Sequence, residues 1–316
     1  MGMRLTGLSN FLLFQNAIAG RNSDLYKTSE QLSTQKRINR PSDNPQGASD
    51  VLAFKQDIDK ITQYSQNLTV ADRSLKDTET TLSSVKDLIT KAKELALQGN
   101  NGTQSQSSRD AIADQIQQLQ QQMVVFSNSN IEGQYIFGGY RTDNPPFTLN
   151  ASQPAANPVV TYNGDTNTKS VQISDSSNLQ IQSRGDQVFK GDGTANTVDL
   201  FQTMADLETA LRAGNVTSDP SSTTNVGSQL TKLDTGLNQV LNELTTIGAS
   251  ENRVTTTQDF LTTQTETLKS FVSSIEDVDM ATVAFDYQKS TTALQATINA
   301  AGTIMHLPSL IDFLKT

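Results

Sequence analysis

Two long regions of the chain carry an apolar residue at every seventh position. Spacing sustained in this way is typical of helices that pack nearly parallel over a long distance. Neither region contains proline, which disrupts a helix interior by about 3 kcal/mol. We therefore predict two long, packed helices. The first series consists of Phe54, Ile61, Leu68, Leu75, Leu82 and Ile89, and the second of Leu233, Val240, Ile247, Val254, Leu261, Leu268 and Ile275.

The two ends of the chain carry weaker apolar stripes with the same spacing. A narrow stripe cannot stabilise an isolated helix in water. We therefore expect the two ends to pair with each other and with neighbouring copies, which makes these stripes an assembly interface. The first stripe is Phe11, Ile18, Leu25 and Leu32; near the other end, Met280, Tyr287, Leu294 and Ala301 also step by seven, with Ala284, Ile298 and Met305 at the paired position.

Local signals place several helix ends. Asn44 is a favourable N-cap, and Pro45 suits the first helical position because its missing N–H is not needed there. Gly99, followed by two asparagines and Gly102, is typical of a helix stop. Apolar spacing predicts two further helices, near residues 112–126 and 198–211.

The middle of the chain has a different pattern. Short β-prone runs at 159–162 and 171–173 flank the pair Asn163-Gly164, which favours a hairpin turn. Several prolines interrupt the same region and disfavour a long helix there. We predict a small β-rich insertion.

The predicted fold is mainly α: an elongated coiled coil and helix bundle built from the N- and C-terminal segments, with a small β-rich inserted domain. We expect three domains. Residues 1–44 with 276–316 form a terminal coiled-coil assembly region, 45–140 with 205–275 form a helix-bundle domain, and 141–204 form the β-rich outer insertion.

Composition excludes several classes of function. The net charge is −9 and the longest basic cluster is Lys36-Arg37, so we expect no nucleic-acid binding. Cysteine is absent, which excludes disulfides and thiolate zinc sites. No apolar run approaches the roughly 18 residues of a membrane span, so no membrane insertion is expected. The run Phe11–Phe14 is shorter than the apolar core of a cleaved signal peptide.

Catalytic candidates are few. His306 is the only histidine, so a two-histidine zinc motif cannot form and no Ser-His-Asp arrangement has support. The cluster Glu276-Asp277-Val278-Asp279 lacks the glycine and closing glutamate of a calcium loop. We interpret it as a cap for the following helix. We expect no enzyme activity, no cofactor and no bound metal.

Three segments resemble the flagellin family. They are the block from Leu32 to Pro45, the stretch from Ile247 to Arg253, and the stretch from Ile275 to Ala281. The first block departs from the family pattern at Gln35, where glycine is usual, and at Asn44, where aspartate is common. The resemblance implies that Arg37, Asn39, Pro41 and Asp43 lie in a loop that contacts other subunits.

Within the family, the segments Gly133–Thr142 and Pro145–Phe147 resemble members that join hook to filament. This resemblance implies an extracellular structural subunit that self-associates in a ring-like layer between the other junction protein and the flagellin filament. It further implies a cytoplasmic export chaperone, secretion through the flagellar channel without a cleaved signal, and ends that order on assembly.

Two other functions fit parts of the pattern. A short flagellin that forms the filament itself would share the terminal motifs. A surface adhesin or glycan-binding module could be carried by the insertion.

Overall fold

The structure is a computed structural model that describes residues 2–150, 159–191, 193, 196–216 and 224–305. These residues form six α-helices, one π-helical turn and three two-stranded antiparallel sheets. The predicted mainly α fold with a small β-rich insertion is confirmed. The helices are α1 (Gly2–Thr34), α2 (Pro45–Gly99), α3 (Gln106–Ser127), α4 (Leu200–Arg212), α5 (Val226–Glu276) and α6 (Met280–Met305), and the π-helical turn spans Asp186–Lys190. His306 lies outside the described residues.

The chain divides into two compact units. We call Met1–Lys60 with Thr262–Thr316 the terminal unit, and Ile61–Leu261 the central unit. Helices α1 and α6 belong to the terminal unit, whereas α3, α4 and the sheets belong to the central unit. The long helices α2 and α5 contribute residues to both.

The start of α2 follows from its local sequence. Asn44 Oδ1 accepts a hydrogen bond from the Gly47 N–H at 3.1 Å, and the helix begins at Pro45. This contact satisfies one of the N–H groups that have no partner inside the helix. The helix ends at Gly99. Both predicted ends of α2 are therefore confirmed.

The two seven-residue series form the main seam of the central unit, except for Phe54, Leu268 and Ile275, which lie in the terminal unit. Gln258 Nε2 donates to Ser65 Oγ at 2.6 Å, and Lys93 pairs with Asp234. These two contacts show that α2 and α5 run antiparallel. Burying each large aliphatic side chain stabilises the fold by about 1.5–3 kcal/mol. The fully buried members of the series are Leu68, Leu82, Ile89, Leu233 and Val240.

A carboxylate occupies one seam position of α5. Glu251 Oε1 is buried and has no hydrogen-bond partner among the described residues. Burial raises the pKa of Glu251, and the neighbouring carboxylate of Glu79 raises it further. The ammonium of Lys76 opposes both effects. A carboxylate contributes less apolar burial to the seam than an aliphatic side chain such as Val240.

Three short antiparallel pairs make up the β-rich part. The strands pair in the order β1 with β2, β3 with β4, and β5 with β6. They are β1 (Asn130–Ile131), β2 (Gln134–Tyr135), β3 (Phe147–Leu149), β4 (Val160–Tyr162), β5 (Ser170–Ser174) and β6 (Ser177–Gln180). The predicted hairpin around Asn163-Gly164 is therefore wrong, because β4 and β5 pair with other strands.

Hydrogen bonds to a distant turn explain that difference. The Asp165 N–H donates to Gly138 O at 3.1 Å, and Asp165 Oδ1 accepts from the Tyr140 N–H at 3.1 Å. Gly139 has φ +68° and lies against Asp165, a position that suits only glycine. These contacts hold the chain after β4 against the 138–140 turn and away from a local hairpin.

Four phenylalanines form the core of this region. Phe189 in the π-helical turn is centred 5.1 Å from Phe137, 5.3 Å from Phe147 in β3 and 5.9 Å from Phe201 in α4. All four side chains are buried. The cluster joins one strand, the π-helical turn and α4, so it holds the insertion together despite the low aromatic content of the chain.

Candidate assembly surface

Helices α1 and α6 pack against each other in the terminal unit. They run antiparallel, because Lys36 just after α1 pairs with Asp277 just before α6. On α6, Val283 and Ala301 are 3% and 6% exposed. Half-buried residues alternate between these two at intervals of three and four, as expected for a coiled-coil seam. The seam residues of α6 are Val283, Tyr287, Ser290, Leu294, Thr297 and Ala301.

The structure places the predicted stripe residues in two groups. Ile18, Leu25, Leu32 and Leu294 are half-buried and lie along the α1–α6 pair. Phe11 and Ile298 remain 48% and 44% exposed, so they do not fill the seam within one chain. The side chain of Met305 lies outside the described residues.

The second seam position on α6 differs from the expected one. Ala284 and Ile298 are exposed, whereas Val283 and Thr297, each one residue earlier, face inwards. A series that steps by seven defines one line along a helix but does not select its partner line, because three or four residues can separate the two. Val283 is the apolar one of the three seam residues that the sequence analysis missed; the other two are Ser290 and Thr297. The spacing of Val283, four residues before Tyr287, is the signal that identifies it.

The terminal unit also exposes many large apolar side chains. Tyr26 and Phe285 are 75% and 70% exposed. A packed pair of helices buries one face of each, and an apolar opposite face must find another partner. Exposed apolar surface of this extent is typical of protein–protein contact. The members of this exposed set are Phe11, Leu12, Leu13, Tyr26, Leu52, Phe271, Met280, Phe285 and Ile298.

The tight turn that follows α1 is hydrogen-bonded to the end of α5. Gln35 has φ +60°, so glutamine here adopts the left-handed conformation that glycine adopts most easily. The turn lets the Arg37 N–H donate to Glu276 O at 2.6 Å and the Val278 N–H donate to Gln35 O at 3.2 Å. Backbone hydrogen bonds therefore connect the segment after α1 to the end of α5 and to the segment between α5 and α6.

The loop after this turn is fixed by its own polar groups. Asp43 Oδ2 accepts hydrogen bonds from the Arg40 N–H at 2.9 Å and from the Asn39 N–H at 3.1 Å. These bonds lower the pKa of Asp43. Arg37 donates a side-chain hydrogen bond to Ile275 O at 2.7 Å. Arg37, Asn39 and Asp43 thus shape the loop within one chain, and Pro41 is exposed at its surface.

Glu276, the last residue of α5, forms ion pairs with a lysine that precedes the loop and with a lysine of α2. Its carboxylate is 2.9 Å from Lys36 Nζ and 2.8 Å from Lys55 Nζ, and the residue is 8% exposed. Burial raises the pKa of Glu276, but the hydrogen bonds from Lys55 and Lys36 outweigh burial and bring the pKa below its usual value. Glu276 therefore stays ionised and links the loop, α2 and α5.

Replacing Glu276 with glutamine should destabilise the terminal unit at neutral pH. Because the folded pKa is lower than the unfolded one, the stabilisation is complete above the usual glutamate pKa and is lost as pH falls through the folded value. Both lysines are partly exposed, so we expect a loss of about 1 kcal/mol. Thermal unfolding at pH 7 and at strongly acidic pH measures it. A Glu276→Gln deficit that persists unchanged at acidic pH would contradict this assignment.

Asp279, the last residue of the acidic stretch, caps the start of α6. Asp279 accepts hydrogen bonds from Thr282 Oγ1 at 2.9 Å and from the Ala281 N–H at 3.0 Å, and these lower its pKa. The capping interpretation is confirmed for Asp279, whereas Glu276 binds Lys36 and Lys55 and Asp277 accepts from Ser273 Oγ. Within the described ranges, no group of three acidic, histidine or cysteine side chains could hold a metal ion. None of the helices described there is long and apolar enough to cross a membrane.

Comparison with known proteins gives a consistent assignment. The bacterial flagellin N-terminal helical region matches residues 9–142, and the flagellin C-terminal helical region matches residues 230–314. The chain is 28% identical to flagellar hook-associated protein 3 of Escherichia coli K12 over 297 residues, which cover 90% of this chain and 91% of that protein. It is 27% identical to the Salmonella typhimurium protein of the same name, over 93% and 94% of the two chains.

A solved structure shares the fold. The flagellar junction protein FlgL from Legionella pneumophila superposes with a TM-score of 0.57 at 16% identity, covering 72% of this chain and all of that one. The two flagellin regions together span more than half of the sequence and include α2, α3, α6 and most of α1 and α5. The chain therefore belongs to the flagellin family.

Proposed function

We propose that this chain is a structural subunit of the bacterial flagellum that forms the junction layer between hook and filament. The observation that carries the proposal concerns the terminal unit. There α1 and α6 each bury one face against the other, and large apolar side chains remain exposed. Such a surface needs neighbouring subunits. The relatives named flagellar hook-associated protein 3 support the junction over the filament, because they match the chain at 28% and 27% identity over 91% and 94% of their length, whereas the flagellin of Bacillus subtilis matches at 25% over 89% of its length.

The proposed mechanism is helix packing between subunits. The terminal coiled-coil region (1–44 with 276–316) forms the inner assembly layer. The helix-bundle domain (45–140 with 205–275) lies next to it, and the β-rich insertion (141–204) faces outwards. Because a lone pair of marginal helices is weakly stable, α1 and α6 gain most of their order when neighbouring subunits cover Phe285 and Tyr26.

The partners follow from the same role. The chain self-associates in a ring-like layer and contacts the other hook-associated junction protein on one side and the flagellin filament on the other. A cytoplasmic chaperone holds it before export through the flagellar channel. Its location is then extracellular, on the flagellum, and its work is mechanical and involves no catalysis.

Seeded polymerisation distinguishes this role from that of a short flagellin. Purified protein is added to filament seeds at a salt concentration that screens its net charge of −9. We expect binding at seed ends without long growth, whereas purified flagellin elongates the same seeds. Electron microscopy measures filament length. Long filaments made from this chain alone would support the flagellin alternative and contradict the junction role.

A further inference from the structure

The sequence contains two Asn-Gly pairs, Asn101-Gly102 and Asn163-Gly164. In such a pair the glycine backbone nitrogen can attack the asparagine side-chain amide carbon, because glycine has no Cβ to obstruct the approach. The reaction requires the backbone to rotate, which is easiest at glycine. The surroundings of each pair therefore decide which one reacts.

Asn101-Gly102 lies exposed in the turn between α2 and α3. A Cβ at Gly102 would meet nothing within 4 Å, and no hydrogen bond in the described turn engages the Gly102 N–H. Asn101 Oδ1 accepts from Thr103 Oγ1 at 2.9 Å and from the Thr103 N–H at 3.2 Å. Two donors on this oxygen stabilise the negative charge that develops there when the amide carbon is attacked.

Asn163-Gly164 is held at both its backbone and its side chain. The Asn163 N–H donates to Pro146 O at 2.7 Å, and Asn163 Nδ2 donates to Thr148 Oγ1 at 2.8 Å. The ring of Tyr162 lies directly against Gly164. Reaction here requires these contacts to break first, so the fold protects this pair.

We propose that Asn101 is a site of spontaneous deamidation and that Asn163 is protected. The Gly102 nitrogen loses its proton to solvent base and bonds to Asn101 Cγ. The Cγ–Nδ2 bond then breaks, and ammonia leaves with a proton from water. Water opens the resulting succinimide at either carbonyl, which yields aspartate or isoaspartate at position 101. Water is the only co-reactant, and no electrons are transferred.

The product changes a neutral turn. Residues 99–105 contain no charged side chain, so the reaction introduces one negative charge, and the isoaspartate form also lengthens the backbone by one methylene. A negative charge just beyond the C-terminus of α2 is unfavourable with the helix dipole. The fraction of chains that carry this charge in the turn between α2 and α3 therefore increases with time after synthesis.

Peptide mapping by mass spectrometry tests the proposal on the purified full chain. The folded protein is held at mildly alkaline pH, sampled over time and digested, and each Asn-Gly peptide is followed for the mass increase of about 1 Da that deamidation causes. We expect position 101 to react at least about tenfold faster than position 163, which corresponds to a barrier difference of about 1.4 kcal/mol.

Two controls separate the fold from the local sequence. Gly102→Ala places a Cβ in open space, so the fold is retained while the attack is obstructed; reaction at 101 should slow and reaction at 163 should not change. In guanidinium chloride the rates at the two pairs should converge. Equal rates in the folded protein, faster reaction at 163, or a rate at 101 that Gly102→Ala leaves unchanged would each overturn the proposal.

Discussion

Deleting residues 1–40 together with 280–316 should leave a soluble, folded bundle that no longer binds isolated hooks. The deletion removes α1 and α6 but retains the α2–α5 seam and the aromatic cluster around Phe189. Solubility should improve because most of the exposed apolar set, including Tyr26 and Phe285, is removed. Circular dichroism checks the fold, and co-sedimentation with hooks that carry the other junction protein checks binding. A truncated bundle that still binds hooks would contradict assembly through the terminal pair.

A double substitution makes the same test at full length. Tyr26→Asp with Phe285→Asp keeps both helices but places charge on the exposed apolar surface. Burial of each such side chain contributes about 1.5–3 kcal/mol, so losing both should weaken hook binding by about a hundredfold or more. Phe260→Asp is the matched control, since Phe260 is also exposed but lies in the central unit; its binding should remain close to that of the unmodified protein.

Phe189→Ala should destabilise the central unit by about 3–5 kcal/mol, the usual range for removing a buried phenylalanine. Phe189 contacts Phe137, Phe147 and Phe201, with ring centres 5.1 to 5.9 Å apart. Its loss leaves a cavity among the three phenylalanines that contact it. For a unit of this size we expect the midpoint of thermal unfolding to fall by about 10 °C.

The control for this experiment is Phe260→Ala. Phe260 is 64% exposed on α5 in the same unit, so its replacement should change stability by less than about 0.5 kcal/mol. Differential scanning calorimetry measures both variants. Equal unfolding temperatures for the Phe189 and Phe260 variants would show that the aromatic cluster does not hold the insertion together.

Long-period patterns were predictable from sequence because many residues report the same helix. The series that contains Leu68 predicted α2, and the series that contains Val240 predicted α5. Each further residue at the seven-residue spacing strengthens the prediction of the same helix. Helix ends that carry favourable capping residues were also predictable. At the start of α2, the N-cap Asn44 and the first helical residue Pro45 both indicate the same boundary. The helices expected near 112–126 and 198–211 are α3 and α4.

Features that depend on distant contacts were not predictable. The predicted hairpin at Asn163-Gly164 was wrong because Asp165 forms hydrogen bonds with the 138–140 turn. A local turn preference takes no account of such distant contacts. Glu276 is bound by lysines 240 and 221 positions earlier in the chain, and no spacing rule connects residues so far apart. The motif that resembles the flagellin family drew attention to Glu276, but its two partners became evident only in the folded terminal unit.

Immunogold electron microscopy of flagella from the source bacterium tests the central claim most directly. An antibody against the β-rich insertion, which the proposed arrangement places on the outer face, should label a narrow band at the boundary between hook and filament. The same antibody applied to flagella from a strain lacking the gene should give no label. A single band at that boundary is the result that the junction role predicts. Label distributed along the length of the filament would contradict it.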